Sequence, residues 1–347
     1  MSPQQQTVFR LTSGGGFEGL QAFKEPVPTI GDYEVLVKIH SVAINYRDIA
    51  IANGTYPLAV NDQVVPCTDM AGQVLQVSKQ VDNIVVGDAV VAAISSSALY
   101  GPVKDDKHTL GGSKDGVLRE YIVLPVHQVV KLPRSLHTFT QWSAAVATGT
   151  TVWNCFYGCL PLKPGQTVLI QGTGGVALTA LIFARAAGAT TIITSSSDEK
   201  LAKVKVKYGV DHTINYKTHP NWAAEVQRLT NGQGADHVIE NGGIGTIQQS
   251  IECAAMGGTI SLVGFLASIP QDQVPDVTLL ALSKGALLHG ILAGSKQQLE
   301  EAVQFIGSRD LPVPVDRTFA FNRDDIIAAL KYVASGQHIG KVCINLN

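Results

Sequence analysis

Six consecutive residues, Gly172-Thr173-Gly174-Gly175-Val176-Ala177, form a G-x-G-x-x-A run between the apolar stretch TVLIQG and the stretch ALTALIFARAAG. A strand that enters a helix through such a turn makes an anion site. The first glycine permits the sharp turn, the second lets backbone N–H groups approach a pyrophosphate, and the small Ala177 lets helix and strand pack closely. The helix N-terminus adds its partial positive charge. Gly172, Thr173, Gly174, Gly175 and Val176 are therefore read as dinucleotide contacts.

The next strand tells which dinucleotide. An NAD site carries an acid about 20 residues on, bonded to the ribose hydroxyls. Here the residues are Ser195-Ser196-Ser197, with Lys200 following. Hydroxyls bond a 2′-phosphate without repelling it, and a lysine adds positive charge. Asp198 and Glu199 argue against phosphate if they turn inward, although acids also suit the first turn of a helix. The balance favours NADP(H), with Ser195, Ser196 and Lys200 at the phosphate.

These residues need a scaffold of alternating strands and helices. TVLIQG, TTIITS, HTIN, HVIEN, TISLVG and ALLHGILAG read as six strands. Helical stretches at 177–188 and 197–209 separate the first three, each ending at a glycine suited to a C-cap. Six such βα alternations predict a doubly wound parallel sheet. The first third differs: YEVLVKIHSVAI alternates apolar and polar positions, and β-rich segments follow at 65–78, behind Gly87, and at 118–125. After Gly294 come a helix and a tail, 311–347, expected to rejoin that first part.

Composition agrees with a globular enzyme. Among 347 residues 45% are hydrophobic and 16% charged, with a net charge of −2 and no basic block, which argues against nucleic-acid binding. No apolar run approaches the roughly 20 residues of a membrane span, and the first ten residues lack the layout of a secretory signal. Cys67, Cys155, Cys159, Cys253 and Cys343 are odd in number and scattered. They outline neither a disulfide framework nor a zinc knuckle and fit a reducing, cytoplasmic setting. Cys155 and Cys159, four apart in an apolar stretch, are expected as small buried hydrophobes on one helical face.

YEVLVKIHSVAINYRDIAIANGTYP, VPCTDMAGQVLQVSKQVDNIVVGDAVV, GTGGVA, DHTINYK, ADHVIENGG and HIGKVCINL together resemble the medium-chain dehydrogenase/reductase superfamily over nearly the whole chain. The resemblance implies an α/β fold in which a Rossmann doubly wound sheet is inserted in a GroES-like β-rich catalytic domain, with the cofactor in the cleft. The corresponding division is 1–134 and 306–347 for the catalytic domain and 135–305 for the Rossmann domain. It also implies that Lys200 and Tyr216 flank the adenosine phosphate, as in the NADP-dependent quinone reductase branch. Asn241, Val263, Gly264 and Phe265, and Leu292, Ala293 and Gly294 fall where the superfamily meets the ribose and nicotinamide. Asn45, Thr148 and Lys341 are counted with the cofactor contacts. A homodimer is implied as well, through the ALLHGILAG strand.

Zinc-dependent alcohol dehydrogenases of this superfamily hold their metal by a cysteine, a histidine and a second cysteine. The matching positions here are Asn45, Thr68 and Thr148, and 95–112 lacks the cysteines of the structural zinc lobe. Asp69 and His108 remain, but an isolated acid and histidine make no site, so no metal is expected. Without a Lewis acid, suitable hydride acceptors are quinones, enones or enoyl compounds, whose developing charge sits on a conjugated oxygen. Asn45 is then expected to orient an amide or substrate oxygen, Tyr46 or Tyr56 to donate a proton, and Asp48 to fix its neighbours. The bland alternative pairs Arg47 with Asp48 and leaves the tyrosines as lining. Competing expectations are a polyketide-pathway trans-enoyl reductase, an alcohol or ketone dehydrogenase-like enzyme, and an NADPH-binding sensor without turnover.

Overall fold

The computed structural model describes residues 4–12, 15–267 and 269–346. Two compact units divide the chain: 1–150 together with 294–347, and 151–293.

The first unit opens with the antiparallel pair β1 (Gln5–Leu11) and β2 (Leu20–Pro26). The strand β3 (Glu34–Ile44) leads into the short helix α1 (Tyr46–Ala52). Then come β4 (Asp69–Val77), β5 (Ala89–Ala92), β6 (Tyr121–Pro125) and β7 (Val129–Lys131). β3 pairs with β4, β6 and later the last strand, so Leu36 as well as Val35 and Val37 is sealed from water. The expected strand at 65–78 begins only at Asp69, because Cys67 sits at φ +69° and interrupts the extended run.

The nineteen-residue helix α2 (Phe139–Tyr157) straddles the boundary between the units. Its sequence is apolar on most sides and gave no 3.6-residue stripe to read. Cys155 is buried on it, but Cys159 lies beyond its end and is exposed, which corrects the expectation that both are buried on one face.

The second unit alternates strands and helices: β8 (Thr167–Gln171), α3 (Gly175–Ala186), β9 (Thr190–Ser195), α4 (Asp198–Tyr208), β10 (His212–Asn215), α5 (Trp222–Leu229), β11 (Ala235–Glu240), α6 (Ile247–Cys253), β12 (Ala254–Leu262), α7 (Val277–Lys284) and β13 (Leu287–Gly290). All six strands are parallel, in the order β10-β9-β8-β11-β12-β13. The last is shorter than the nine residues read from sequence. Ala293 at φ +51° turns the chain, and the Ser295 side chain then caps the next helix.

The chain returns to the first unit as α8 (Lys296–Arg309), β14 (Val315–Ala320), α9 (Arg323–Ala334) and β15 (Lys341–Asn345). β15 inserts between β14 and β3, completing a sheet ordered β14-β15-β3-β4-β5-β7, with β6 beside β3. Ile326, Leu330 and Val333 of α9 pack into the same core as Val35, Val74 and Ile344. No helix among the described residues is long and apolar enough to cross a membrane.

Candidate functional site

Because every strand of the second unit is parallel, their C-terminal ends share one edge. β8 and β11 are neighbours there, at the point where the sheet's connections diverge to either side, the position at which open α/β sheets receive ligands. Gly172 follows β8 at φ +82°, a left-handed conformation that glycine adopts without strain. Gly174 is the N-cap of α3 and no side chain caps this helix, so its first-turn N–H groups are left to face an anion. Thr173 and Ala177 are buried, while Gly174, Gly175 and Val176 remain half-buried.

The phosphate candidates lie at the next two strand ends. Ser195 closes β9, and the Tyr216 N–H donates to its carbonyl at 3.1 Å, setting these two predicted residues side by side. The Ser195 hydroxyl accepts the Ser197 N–H at 3.3 Å, and Ser197 caps α4 by accepting the Lys200 N–H at 3.3 Å. Ser196 and Lys200 are half-buried. Glu199 is exposed and bound to Lys203 Nζ at 2.6 Å, a pairing that holds its carboxyl below the usual range. Asp198 is exposed in the same turn. A hollow of about 310 Å³ beside these ends is lined by residues including Asp198, Lys205, Asn215 and His219. Another, of about 390 Å³, lies at the opposite strand edge among Gly165, Thr167, Thr190 and Asp236, away from every predicted residue.

At the β11 end sits a feature that sequence reading missed. Glu240, fully buried, accepts from the Gly242 and Gly243 N–H groups at 2.7 and 2.8 Å, from the Thr246 hydroxyl at 2.5 Å, from Gln171 Nε2 at 2.8 Å and from the Ser250 hydroxyl. Five donors let a carboxylate persist without water. The Asn241 amide donates to the Gln171 carbonyl at 2.8 Å, so Asn241 pins β11 to the residue before Gly172. An acid ending a core strand and followed by Asn-Gly-Gly was the available signal. The Val263 and Gly264 N–H groups donate to the Glu240 carbonyl, and a Cβ on Gly264 would come 2.2 Å from the Asn241 carbonyl oxygen. Phe265 and Leu292 are exposed, and Ala293 accepts from Asn154 Nδ2 at 2.9 Å. Gly294 belongs to the first unit, packed on Gln298 and Thr150.

The first unit gathers a closed polar ring. Lys341, 4% exposed, donates through Nζ to the Ile44 carbonyl at 2.7 Å, to Asn45 Oδ1 at 2.6 Å and to Asp69 Oδ2 at 3.4 Å. Asn45 Nδ2 reaches Thr68 Oγ1 at 3.4 Å, and Thr68 donates to Asp69 Oδ1 at 2.5 Å. The Ala147 N–H of α2 also reaches Asp69 Oδ2, at 3.2 Å. All three ammonium protons of Lys341, one of the expected cofactor contacts, are thus engaged inside this unit. Thr148 is buried, and its hydroxyl donates to the Ala144 carbonyl at 2.8 Å.

Asp48 accepts the Asn45 backbone N–H at 2.8 Å, and burial pushes its carboxyl above the usual range. Arg47 forms no ion pair with it among the described residues. It donates instead to the Leu110 carbonyl at 2.8 Å and lies over the Tyr56 ring, 5.2 Å from the centroid. Tyr46 is 44% exposed and Tyr56 half-buried. Among the described residues no group of three or more His, Cys, Asp or Glu side chains could hold a metal ion.

A parallel six-stranded dinucleotide fold joined to a β-rich unit with a buried polar ring defines an oxidoreductase scaffold. The model of the alcohol dehydrogenase GroES-like domain matches residues 31–134, and that of the zinc-binding dehydrogenase matches 175–308. A zinc-type alcohol dehydrogenase-like protein of Schizosaccharomyces pombe is 40% identical over 340 residues, covering 96% of each chain. A quinone oxidoreductase-like protein 2 homolog of Nematostella vectensis is 28% identical, covering 91% of this chain and 82% of its own. A crystal structure assigned as an alcohol dehydrogenase from Sinorhizobium meliloti 1021 superposes with a TM-score of 0.89 at 33% identity, covering 100% of both chains. The chain belongs to the medium-chain dehydrogenase/reductase superfamily. It is an oxidoreductase of that family, whose members bind nicotinamide cofactors.

Proposed function

We propose that this chain is a zinc-independent, NADPH-dependent reductase that delivers hydride to the conjugated double bond of an enone or to a quinone. The observation that carries the reading is the ring of Lys341, Asn45, Thr68 and Asp69. Zinc favours thiolate and imidazole ligands. In their places stand an amide oxygen bound by an ammonium, a hydroxyl bound to a carboxylate, and the Thr148 hydroxyl bound to a helix carbonyl. The zinc implied by the family model's description does not fit this donor set.

Conjugated acceptors suit such a site because hydrogen bonds alone can stabilise the charge that develops on their oxygen. Bound NADPH supplies the hydride. Asn45, half-buried, retains one amide hydrogen beyond its bond to Thr68 for a substrate oxygen. Asp48 holds the Asn45 backbone in place. Tyr46, Tyr56 or solvent returns a proton to the substrate. In the second unit the Gly172–Gly175 turn would hold the pyrophosphate. Ser195, Ser196, Lys200 and Tyr216 would hold the 2′-phosphate, a reading supported by the adjacent ends of β9 and β10 and by the commitment of Glu199 to Lys203.

We assign two copies to the working molecule. The outer edge of β13 has no partner strand among the described residues, and the neighbouring α7 exposes Leu279 and Leu282. Free cysteines, four of them buried, fit a reducing compartment.

The deciding experiment follows oxidation of NADPH and NADH in parallel against quinones, enones, enals and simple ketones, with and without a chelator. Turnover of quinones or enones with NADPH, unaffected by chelator, is expected. Activity abolished by chelation, or confined to simple ketones, overturns the metal-free mechanism, and NADH used as well as NADPH overturns the phosphate assignment.

A further inference from the structure

We propose that Lys341 is a positioning residue for reduction: its buried ammonium fixes the Asn45 carboxamide with the oxygen on the cation, so that one amide hydrogen goes to Thr68 and the other is left as a donor to the substrate oxygen. The inference rests on the reductase reading and names the group that orients that site.

The direction of the ring follows from valence. An ammonium has three protons and no lone pair, so it only donates, and an ionised carboxylate only accepts. Asn45 therefore has to present Oδ1 to Lys341, at 2.6 Å, which turns its NH2 group away. Thr68 has one hydroxyl proton, and Asp69 takes it at 2.5 Å, so Thr68 is left as an acceptor toward Asn45 Nδ2. Every member's role is set by the two charged ends, Lys341 and Asp69, both sealed from water. With the cation removed, the Asn45 amide is free to rotate its oxygen outward and to present a lone pair where a donor is needed.

A second effect acts in the same sense. A cation on the amide oxygen draws electron density from the nitrogen and strengthens its N–H donors, a cooperative effect of hydrogen-bond chains in low dielectric. The site thereby matches substrates whose reacting oxygen only accepts, such as carbonyls and quinones, and disfavours hydroxyl donors at the same point. Asn45 and Lys341 are 296 residues apart, joined by the antiparallel pairing of β15 with β3, in which Val342 faces Ile44.

The test changes Lys341→Met together with Asp69→Asn, so that no buried charge is left alone, in the wild-type and Asn45→Ala backgrounds. Thermal unfolding confirms that each variant folds. In the wild-type background kcat/KM for a quinone should fall on the order of 100-fold, the lower end of the loss of one donor to a developing oxyanion. The NADPH Kd should stay within about threefold, and in the Asn45→Ala background the paired change should add less than about threefold, because two groups acting through one contact are not additive. Full additivity, or a parallel loss of NADPH affinity, overturns the proposal. If Asn45→Ala by itself leaves kcat/KM unchanged, the donor reading of Asn45 falls and this inference with it.

A readout independent of turnover separates the two readings. The Asn45 side-chain NH2 signals, identified by their loss in Asn45→Ala, should move and exchange faster with water in the paired variant. Unchanged signals overturn the positioning role even in an active reductase, whereas changed signals in a protein with no reductase activity uphold the positioning and sink only the function.

Discussion

Asp48 has almost no contact with water, one oxygen held by the Asn45 N–H and the other, Oδ1, without a hydrogen-bond partner among the described residues. Burial favours its protonated form, so the folded value lies above that of the unfolded chain. The contribution to stability is then complete below the ordinary carboxylate range and is lost as pH rises through the folded value. Asp48→Asn keeps an oxygen for the Asn45 N–H and removes the charge. Its melting temperature relative to wild type should therefore increase from about pH 4, the ordinary carboxylate range, to about pH 8, measured by thermal unfolding at both. A constant difference would show that Asp48 titrates in the protein as it does in water. The sequence, with the family resemblance, led to the expectation that Asn45 orients an oxygen and Asp48 fixes its neighbours, but not that Lys341 holds the Asn45 oxygen or that Arg47 turns to Leu110 and Tyr56. Those pairings join residues far apart in the chain, and no local pattern encodes them.

The elements of the second unit were legible for a physical reason. A parallel strand buried on both faces is an unbroken apolar run ended by a turn, and the residues just past each run are the ones that line the ligand edge. Gly172 and Ser195 were read in this way, whereas Tyr216, Asn241 and Val263 came only from the resemblance to the superfamily; each of the five follows or closes its strand. α2 escaped because it is apolar on most sides, and β13 was overextended because an apolar run does not reveal where a left-handed residue stops it. The β11 and β12 ends yield a prediction at this scale. Gly264→Ala would drive a methyl group against the backbone carbonyl of Asn241, the residue whose side-chain amide binds the Gln171 carbonyl beside Gly172. Overpacking of this kind costs about 1–3 kcal/mol. Urea unfolding should show that loss, and NADPH affinity should fall with it. Wild-type affinity in the destabilised variant would mean that the spacing of these strand ends does not govern the cofactor grip.

For the whole molecule, the unpaired β13 edge and the exposed leucines of α7 make a testable case for two copies. Light scattering after size exclusion should give twice the chain mass, and Leu279→Lys with Leu282→Lys should halve it without unfolding the protein. A monomeric wild type at working concentration would remove the second copy from the description. The sheet order of the first unit bears on how the molecule is made. β15 occupies an interior place between β14 and β3, yet it leaves the ribosome some two hundred residues after β7, a delay of about ten seconds or more at ordinary elongation speeds. Until then the nascent chain carries residues 41–44 of β3 with one flank open, residues 34–38 being covered by β6, and Asp69 without its cation. The ring that holds Asn45 therefore closes only after β15 is made, and until then that part of β3 is a bare strand edge of the kind other chains can pair with.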